Sequence, residues 1–325
     1  MTQEITNRIL ITGGAGFIGS HLAELLLQSN HSVTVIDNLS TGSINNIRHL
    51  QSNSKFSFVR ADISDELVLD RLSSESDVII HLAAAVGVQL IVERPVHTIE
   101  TNVAGTEKVL RSALRYGCKV LIASTSEVYG KGYKLPFSED DDVLLGPTNK
   151  SRWGYAASKM VDEFLGMAYF AEYGLDVVCF RLFNTVGPRQ SGQYGMVIPR
   201  FVRSALKNQP IEVYGNGQQQ RCFGHVKDVV LAIEGLAFHQ GVKGNIYNIG
   251  NTEEISILEL ARRIKIKTGS TSEIRLIPYE QAYAPGFEDM ERRIPNTAKI
   301  QALLKWKIER NLDIILDDVI AYERN

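Results

Sequence analysis

The stretch Ile9-Leu10-Ile11-Thr12-Gly13-Gly14-Ala15-Gly16-Phe17-Ile18-Gly19 decides the fold. An apolar run of strand length enters a glycine turn, and the turn opens a helix whose stripe is Ile18, Leu22, Leu25 and Leu26. The glycines are spaced Gly13-x-x-Gly16-x-x-Gly19. Gly13 is free to take a positive φ, Gly16 lets backbone approach a pyrophosphate, and Gly19 lets the helix close on the strand. The open N–H groups around Phe17 and Ile18 then face an anion. A glycine pattern alone is weak evidence, and its position between a first strand and a helix strengthens it. Asp37 closes the next apolar run, 18 residues after Gly19, with Asn38 beside it. A carboxylate there accepts hydrogen bonds from ribose hydroxyls and repels a 2'-phosphate, which favours NAD over NADP. Asp62, followed by Ile63, ends the third run and either meets the adenine or caps the helix that begins near Ser64.

Outward from this unit, strand-length runs recur at Arg8–Thr12, Ser32–Asp37, Phe56–Arg60, Val78–Leu82, Val120–Ser124 and Asp176–Leu182. They lack alternation, as strands buried on both faces do. Helical patterns lie between them at Phe17–Ser29, Asn102–Tyr116 and Tyr155–Tyr173. The alternation predicts an α/β fold, a Rossmann-type doubly wound parallel sheet with right-handed crossovers. After Leu182 the elements shorten and Gly and Pro become frequent. The expectation is a dinucleotide-binding domain over 1–182, carrying the Tyr155 helix, and a smaller substrate-binding lobe over 183–325.

Composition narrows the classes. The 325 residues are 44% hydrophobic and 22% charged, which excludes disordered, collagen-like and coiled-coil chains. A net charge of -2 supplies no basic field for nucleic acid or an anionic membrane. Met1–Thr6 lacks a signal-peptide core, and the longest apolar stretch, Val78–Val92, is broken by His81, Gly87 and Gln89. Cys118, Cys179 and Cys222 form neither a disulfide framework nor a metal spacing, as suits a reducing cytoplasm, and no metal is expected. The run Glu139–Asp142 reads as a solvated loop rather than a cation site.

Tyr155 and Lys159 stand at i and i+4 on one helical face. An ammonium near a phenol stabilises phenolate and makes tyrosine a usable base. Thr125, Ser126 and Glu127 follow the carboxyl end of a strand, where open parallel sheets place their ligands. Hydroxyls there bind sugar oxygens, and Glu127 can move protons.

Together these pieces resemble the extended short-chain dehydrogenase/reductases, the NAD-dependent nucleotide-sugar epimerases and dehydratases. The resemblance runs from Ile9 to about Trp306. It rests on the glycine turn, His81-Leu82-Ala83-Ala84, Asn102-Val103-x-Gly105-Thr106, Tyr155-x-x-x-Lys159 and Arg181-x-Phe183-Asn184-x-x-Gly187-Pro188-Arg189. In that order the set is specific. It implies that Leu82, Ala83, Ala84, Asn102, Tyr155 and Lys159 also contact NAD. It implies that Asn184, Arg189, Tyr214 and Arg221 bind a nucleotide sugar, with Tyr214 at the base and Arg221 at the diphosphate. His225 reads as structural. The resemblance further implies a homodimer through the long helices Asn102–Tyr116 and Ser151–Tyr173.

Within the family, Ser126–Gly130, Gly146-Pro147-x-Asn149-Lys150-x-Arg152-Trp153, Arg221-Cys222-Phe223 and Asn248–Asn251 are similar to UDP-glucuronate decarboxylases. Arg293 falls where those enzymes carry an active-site arginine. Ile294 and Asn296 depart from their usual Lys and Asp. Dehydratases carry an Asp-Glu pair where this chain has Ser126-Glu127, and many 4-epimerases have no glutamate there. The implied activity is oxidation of carbon 4 of a UDP-sugar followed by decarboxylation, with 4-epimerisation as the alternative and a non-catalytic NAD-binding regulatory protein behind both. Arg293 would hold the carboxylate, unless it merely pairs with Glu288-Asp289.

Overall fold

The computed structural model describes residues 6–85, 94–150, 152–192, 196–282, 290 and 292–324. The first part runs β1 (Arg8–Thr12), α1 (Phe17–Gln28), β2 (Ser32–Asp37), β3 (Phe56–Arg60), α2 (Glu66–Ser74), β4 (Val78–His81), α3 (Pro95–Tyr116), β5 (Lys119–Thr125), α4 (Arg152–Tyr173) and β6 (Val177–Leu182). The second runs β7 (Thr185–Val186), α5 (Val197–Leu206), β8 (Ile211–Tyr214), β9 (Gln220–Cys222), β10 (Gly224–His225), α6 (Val226–Phe238), β11 (Asn245–Ile249), β12 (Glu254–Ser256), α7 (Ile257–Thr268), β13 (Ile274–Ile277), α8 (Tyr279–Ala282), α9 (Ala298–Leu304) and α10 (Leu312–Arg324).

Seven strands form one sheet in the order β11-β6-β5-β4-β1-β2-β3, every neighbouring pair parallel. Alternate residues of each strand serve opposite faces. Ile9, Ile11, Val33, Val35, Val78 and Ile80 meet α1 and α6 on one side. Leu10, Ile36, Ile79, Val120 and Ile122 meet α2, α3 and α4 on the other. Each such side chain contributes about 1.5–3 kcal/mol on burial, so both sets stay apolar and the sequence shows unbroken runs.

Two expectations are corrected. The helix read as Asn102–Tyr116 begins at Pro95, whose fixed φ suits a first turn, and ends at left-handed Gly117. Asn102 is interior, which hid the true start. The run Glu139–Asp142 is not wholly solvated: Glu139 is 8% exposed and accepts a 2.8 Å hydrogen bond from the Asn248 backbone.

The second lobe has its own core, where Phe201 and Val202 of α5, Leu260 and Ile264 of α7, and Leu316 and Val319 of α10 meet. Residues beyond 182 also return to the first: α6, β11, Ile300 of α9 and Trp306 join the sheet core. The chain crosses between lobes more than once, so a single division after residue 182 does not separate the two cores. No helix among the described residues is long and apolar enough to cross a membrane.

Candidate active site

A cavity of about 820 Å³ opens at the carboxyl ends of β1, β2, β4 and β5 and runs under the second lobe. That size holds a small organic ligand. Gly13 turns with φ +71°, and a Cβ on it would lie 2.8 Å from the Ala83 backbone nitrogen. A Cβ on Gly19 would lie 2.6 Å from the Gly13 carbonyl, so this glycine seats the helix on the turn itself. The first turn of α1 carries no acid and no side-chain cap, which leaves its N–H groups and its positive dipole end for an anion.

Asp37 accepts from the backbone of Ala15 at 3.0 Å and of Leu39 at 2.8 Å. Burial still raises its pKa above the ordinary carboxylate range, so a further donor in the cleft would be welcome. A Cβ at Gly42 would come within 3.0 Å of both Asp37 oxygens, and glycine keeps that face open. Asp62 accepts from Asn38 at 2.6 Å and from the Ser64 backbone at 2.8 Å. Burial raises its pKa, but Ser64 and Asn38 outweigh burial and hold it below the usual range. Asp62 thus closes its own turn while lining the cavity, and the helix, which begins at Glu66, is capped instead by Asp65, accepting from Val68 N at 3.2 Å. Phe17, Ile18, Ile63, Leu82, Ala83 and Ala84 supply apolar wall. The residues present therefore fit a dinucleotide. Asn102 does not line the cavity: it is 1% exposed, accepts from Ala85 N at 2.8 Å and donates to Ser158 Oγ at 3.0 Å. Its place is behind the wall, tying the β4 loop to α4.

Tyr155 and Lys159 project from α4 toward Thr125, Ser126 and Glu127. The Thr125 hydroxyl accepts from the Glu127 backbone at 3.2 Å and also bonds the Tyr155 phenol. Burial, then the Glu127 charge, push the Tyr155 phenol far up, against that bond. Lys159 donates to Asp162 at 2.7 Å. Glu127 Oε1 accepts from Arg293 at 2.7 Å and Oε2 from Arg152 at 3.3 Å. Burial raises the Glu127 carboxyl, but Arg293, Arg152 and Arg221 reverse this and hold it below the ordinary range.

Across the cavity, Arg200 stacks on the Tyr214 ring at 4.1 Å, and Tyr279 stands against Gly215. Arg221 is 5% exposed and donates to the Gln220 carbonyl at 2.7 Å. Asn184 spends its amide on the Cys222 carbonyl at 2.9 Å. Arg189 lines the cavity but pairs with Glu24 of α1 at 2.9 Å, clasping the two lobes. His225 caps α6 by accepting from Lys227 N at 3.0 Å and meets Asp318 at 3.1 Å, a structural role. The pairing of Arg293 with Glu288-Asp289 concerns residues outside those described.

Arg200, Tyr279 and the role of Arg152 escaped sequence reading. Arg152 had a signal, since it stands one turn before Tyr155 on the same helix. Arg200 had none: on amphipathic α5 it reads as a solvated face.

This cavity, with a dinucleotide cradle on one wall and a tyrosine–lysine pair facing arginines on the other, belongs to an enzyme that handles an anionic substrate beside a nicotinamide-type cofactor. The family model for GDP-mannose 4,6 dehydratase matches residues 10–319, and the chain belongs to that family, within the extended short-chain dehydrogenase/reductases. A UDP-N-acetyl-alpha-D-glucosaminuronate decarboxylase of Bacillus cytotoxicus is 45% identical over 300 residues, 92% of each chain. UDP-glucuronic acid decarboxylase 1 of Xenopus tropicalis is 36% identical, over 100% of this chain and 74% of that one. Among solved structures, a UDP-glucuronic acid 4-epimerase from Bacillus cereus, in complex with UDP-glucuronic acid and NAD, superposes with a TM-score of 0.88. It is 28% identical and covers 98% of this chain and 99% of that one.

Proposed function

We propose that this chain is an NAD-dependent UDP-hexuronate decarboxylase. The observation that carries the reading is Glu127 clamped between Arg293 and Arg152 beside Tyr155, a guanidinium pair to which a substrate carboxylate could bind in place of the protein's own. The names of the two decarboxylase relatives support it and extend the substrate class to a 2-acetamido uronate as well as glucuronate.

Bound in the Gly13–Asp37 cradle, NAD supplies reversible hydride acceptance at carbon 4. Tyr155, as the phenolate, accepts the proton of the 4-hydroxyl, with Thr125 and Ser126 orienting the sugar. The resulting 4-keto sugar is a β-keto acid. The carbon 5–carbon 6 bond breaks, its electron pair enters the enolate, and carbon dioxide leaves. As the substrate carboxylate draws Arg293 and Arg152, burial is left to raise the Glu127 carboxyl, which then carries a proton to carbon 5. Arg221 and Arg200 bind the diphosphate and Tyr214 lies at the base.

A second reading, 4-epimerisation, is favoured by the superposition on the B. cereus 4-epimerase. Both share the first half-reaction. Carboxyl-labelled UDP-glucuronate and UDP-N-acetylglucosaminuronate separate them: labelled carbon dioxide supports decarboxylation, and label retained in a 4-epimer replaces it. The protein acts in the cytoplasm as a homodimer in this reading. Val96 and Ile99 of α3 and Phe164 of α4 are 66%, 42% and 68% exposed, which suits helix pairing between subunits. Light scattering that shows only monomer at micromolar concentration would refute the dimer.

A further inference from the structure

The mechanism above uses Tyr155 and Lys159 but leaves a buried carboxylate behind them. Asp162 is 0% exposed, and its Oδ2 accepts from Lys159 Nζ at 2.7 Å, with the lysine side chain itself 3% exposed. Its Oδ1 has no hydrogen bond, while the Thr106 hydroxyl of α3 faces the carboxylate. The same Thr106 hydroxyl meets His81 Nε2 at 3.1 Å, and His81 Nδ1 meets the Thr12 hydroxyl at 2.7 Å. Thr12 also accepts from Ala83 N at 3.1 Å. A chain of buried polar groups thus runs from the last residue of β1, beside the glycine turn, through β4 and α3 to Lys159 on α4.

A buried carboxylate is costly, and burying it unpaired costs several kcal/mol. An ion pair one turn behind the catalytic face therefore calls for a role. Lys159 has three N–H donors. With one fixed on Asp162, the remaining two point where the pair's own geometry directs them. The Asp162 charge also raises the phenol.

We propose that Asp162 is the positioning residue of the Tyr155–Lys159 pair: it anchors the Lys159 ammonium from behind and withholds part of its charge from the phenol. The buried Thr12–His81–Thr106 chain faces Asp162 from its other side. The other charged groups nearby are spoken for. Glu163 on the same helix is held by Arg181 of β6 at 2.8 Å, Glu127 is held by its arginines, His81 is kept neutral by burial, and burial pushes the Cys179 thiol of β6 far up and keeps it protonated. The inference rests on the proposed first half-reaction, oxidation at carbon 4, and not on whether carbon dioxide or an epimer follows.

The test is Asp162→Asn, which keeps the shape and removes the charge. Turnover is followed with whichever UDP-sugar the wild type accepts, so a failed decarboxylase reading leaves the test intact. The rising limb of kcat/KM against pH should move at least half a unit to lower pH, because the phenol loses an opposing anion. The plateau should fall about tenfold as Lys159 loosens, since a misplaced catalytic group forfeits orientation. NAD affinity by calorimetry should change less than threefold. A limb at the wild-type position, or an NAD affinity weakened more than tenfold, would overturn the proposal and make Asp162 a prop of the fold or of the cofactor cleft. Should Asp162→Asn fail to fold, Thr106→Val loosens the carboxylate from the far side and should move the limb in the same direction by a smaller step. No movement there overturns the proposal as well.

Discussion

The two walls of the cavity are built by different means. From Gly13 to Asp37 the wall proposed for the cofactor is one continuous strand–turn–helix–strand unit, and most of what it offers is backbone: a left-handed glycine, open N–H groups and one carboxylate. The wall proposed for the substrate borrows Arg152 from α4, Arg200 from α5, Arg221 from β9 and Arg293 from the loop before α9. A backbone site survives as long as its local turn does. A side-chain site exists only after distant elements have packed, and its charges are held apart by their pairings.

The sharpest way to break both walls at once is Tyr155→Phe. Removing the phenol should lower kcat by roughly 10²–10⁴-fold, as loss of a general base does, with every UDP-sugar tried. NAD binding by calorimetry should persist. Retained turnover above a tenth of wild type would remove Tyr155 from the chemistry.

Next in size is the substrate wall alone. Arg293→Ala and Arg152→Met each unclamp one oxygen of Glu127 and one side of the proposed carboxylate seat. A lost charge-assisted partner costs about 2–5 kcal/mol. Turnover of a UDP-uronate should therefore fall roughly 30-fold or more, since about 1.36 kcal/mol is tenfold in rate. NAD affinity should stay within threefold. If only the melting temperature falls and the rate holds, the arginines serve stability and the contrast between the walls is lost.

The cofactor wall alone is tested by Asp37→Ala. NAD affinity should weaken about tenfold, or 1.4 kcal/mol, and the advantage over NADP should narrow. At saturating NAD, kcat should be unchanged. A wild-type protein that prefers NADP tenfold would reverse the reading of Asp37.

The same contrast explains what sequence could show. The strands read from apolar runs agree with the observed β1 to β6 to within about one residue, because a buried parallel strand leaves a local signature. The glycine spacing is local too. Arg293 and Glu127 lie far apart in the chain, and only the resemblance suggested that they serve one site. Asn102, expected at the cofactor, sits behind the wall because its amide is consumed by Ala85 and Ser158, which no spacing rule reveals. Arg200 and Tyr279 were invisible because an arginine on α5 and a tyrosine on α8 acquire meaning only when the second lobe folds over β8. Asp162 belongs to no motif, though it stands three residues after Lys159.

The smallest effect probes the seam between the walls. His81 is buried between Thr12 and Thr106, and burial, then the nearby Lys159 charge, lower its pKa to about 3. In the unfolded chain a histidine protonates near pH 6.5. Below that pH the unfolded state binds a proton that the folded state refuses, so stability is present at neutral pH and drains away as pH falls from about 6.5 toward about 3. Between about pH 7 and pH 6 the loss from this one residue is about 0.7 kcal/mol. His81→Asn cannot titrate, so its urea-unfolding free energy should fall less steeply over that interval, by about this amount, whatever its absolute stability. His21, also lowered by burial, to about 4, remains in both proteins and cancels in the difference. Parallel slopes for the two proteins would mean that His81 is already charged, or solvated, in the fold. The neutral link between the glycine-turn strand and the catalytic lysine would then be absent.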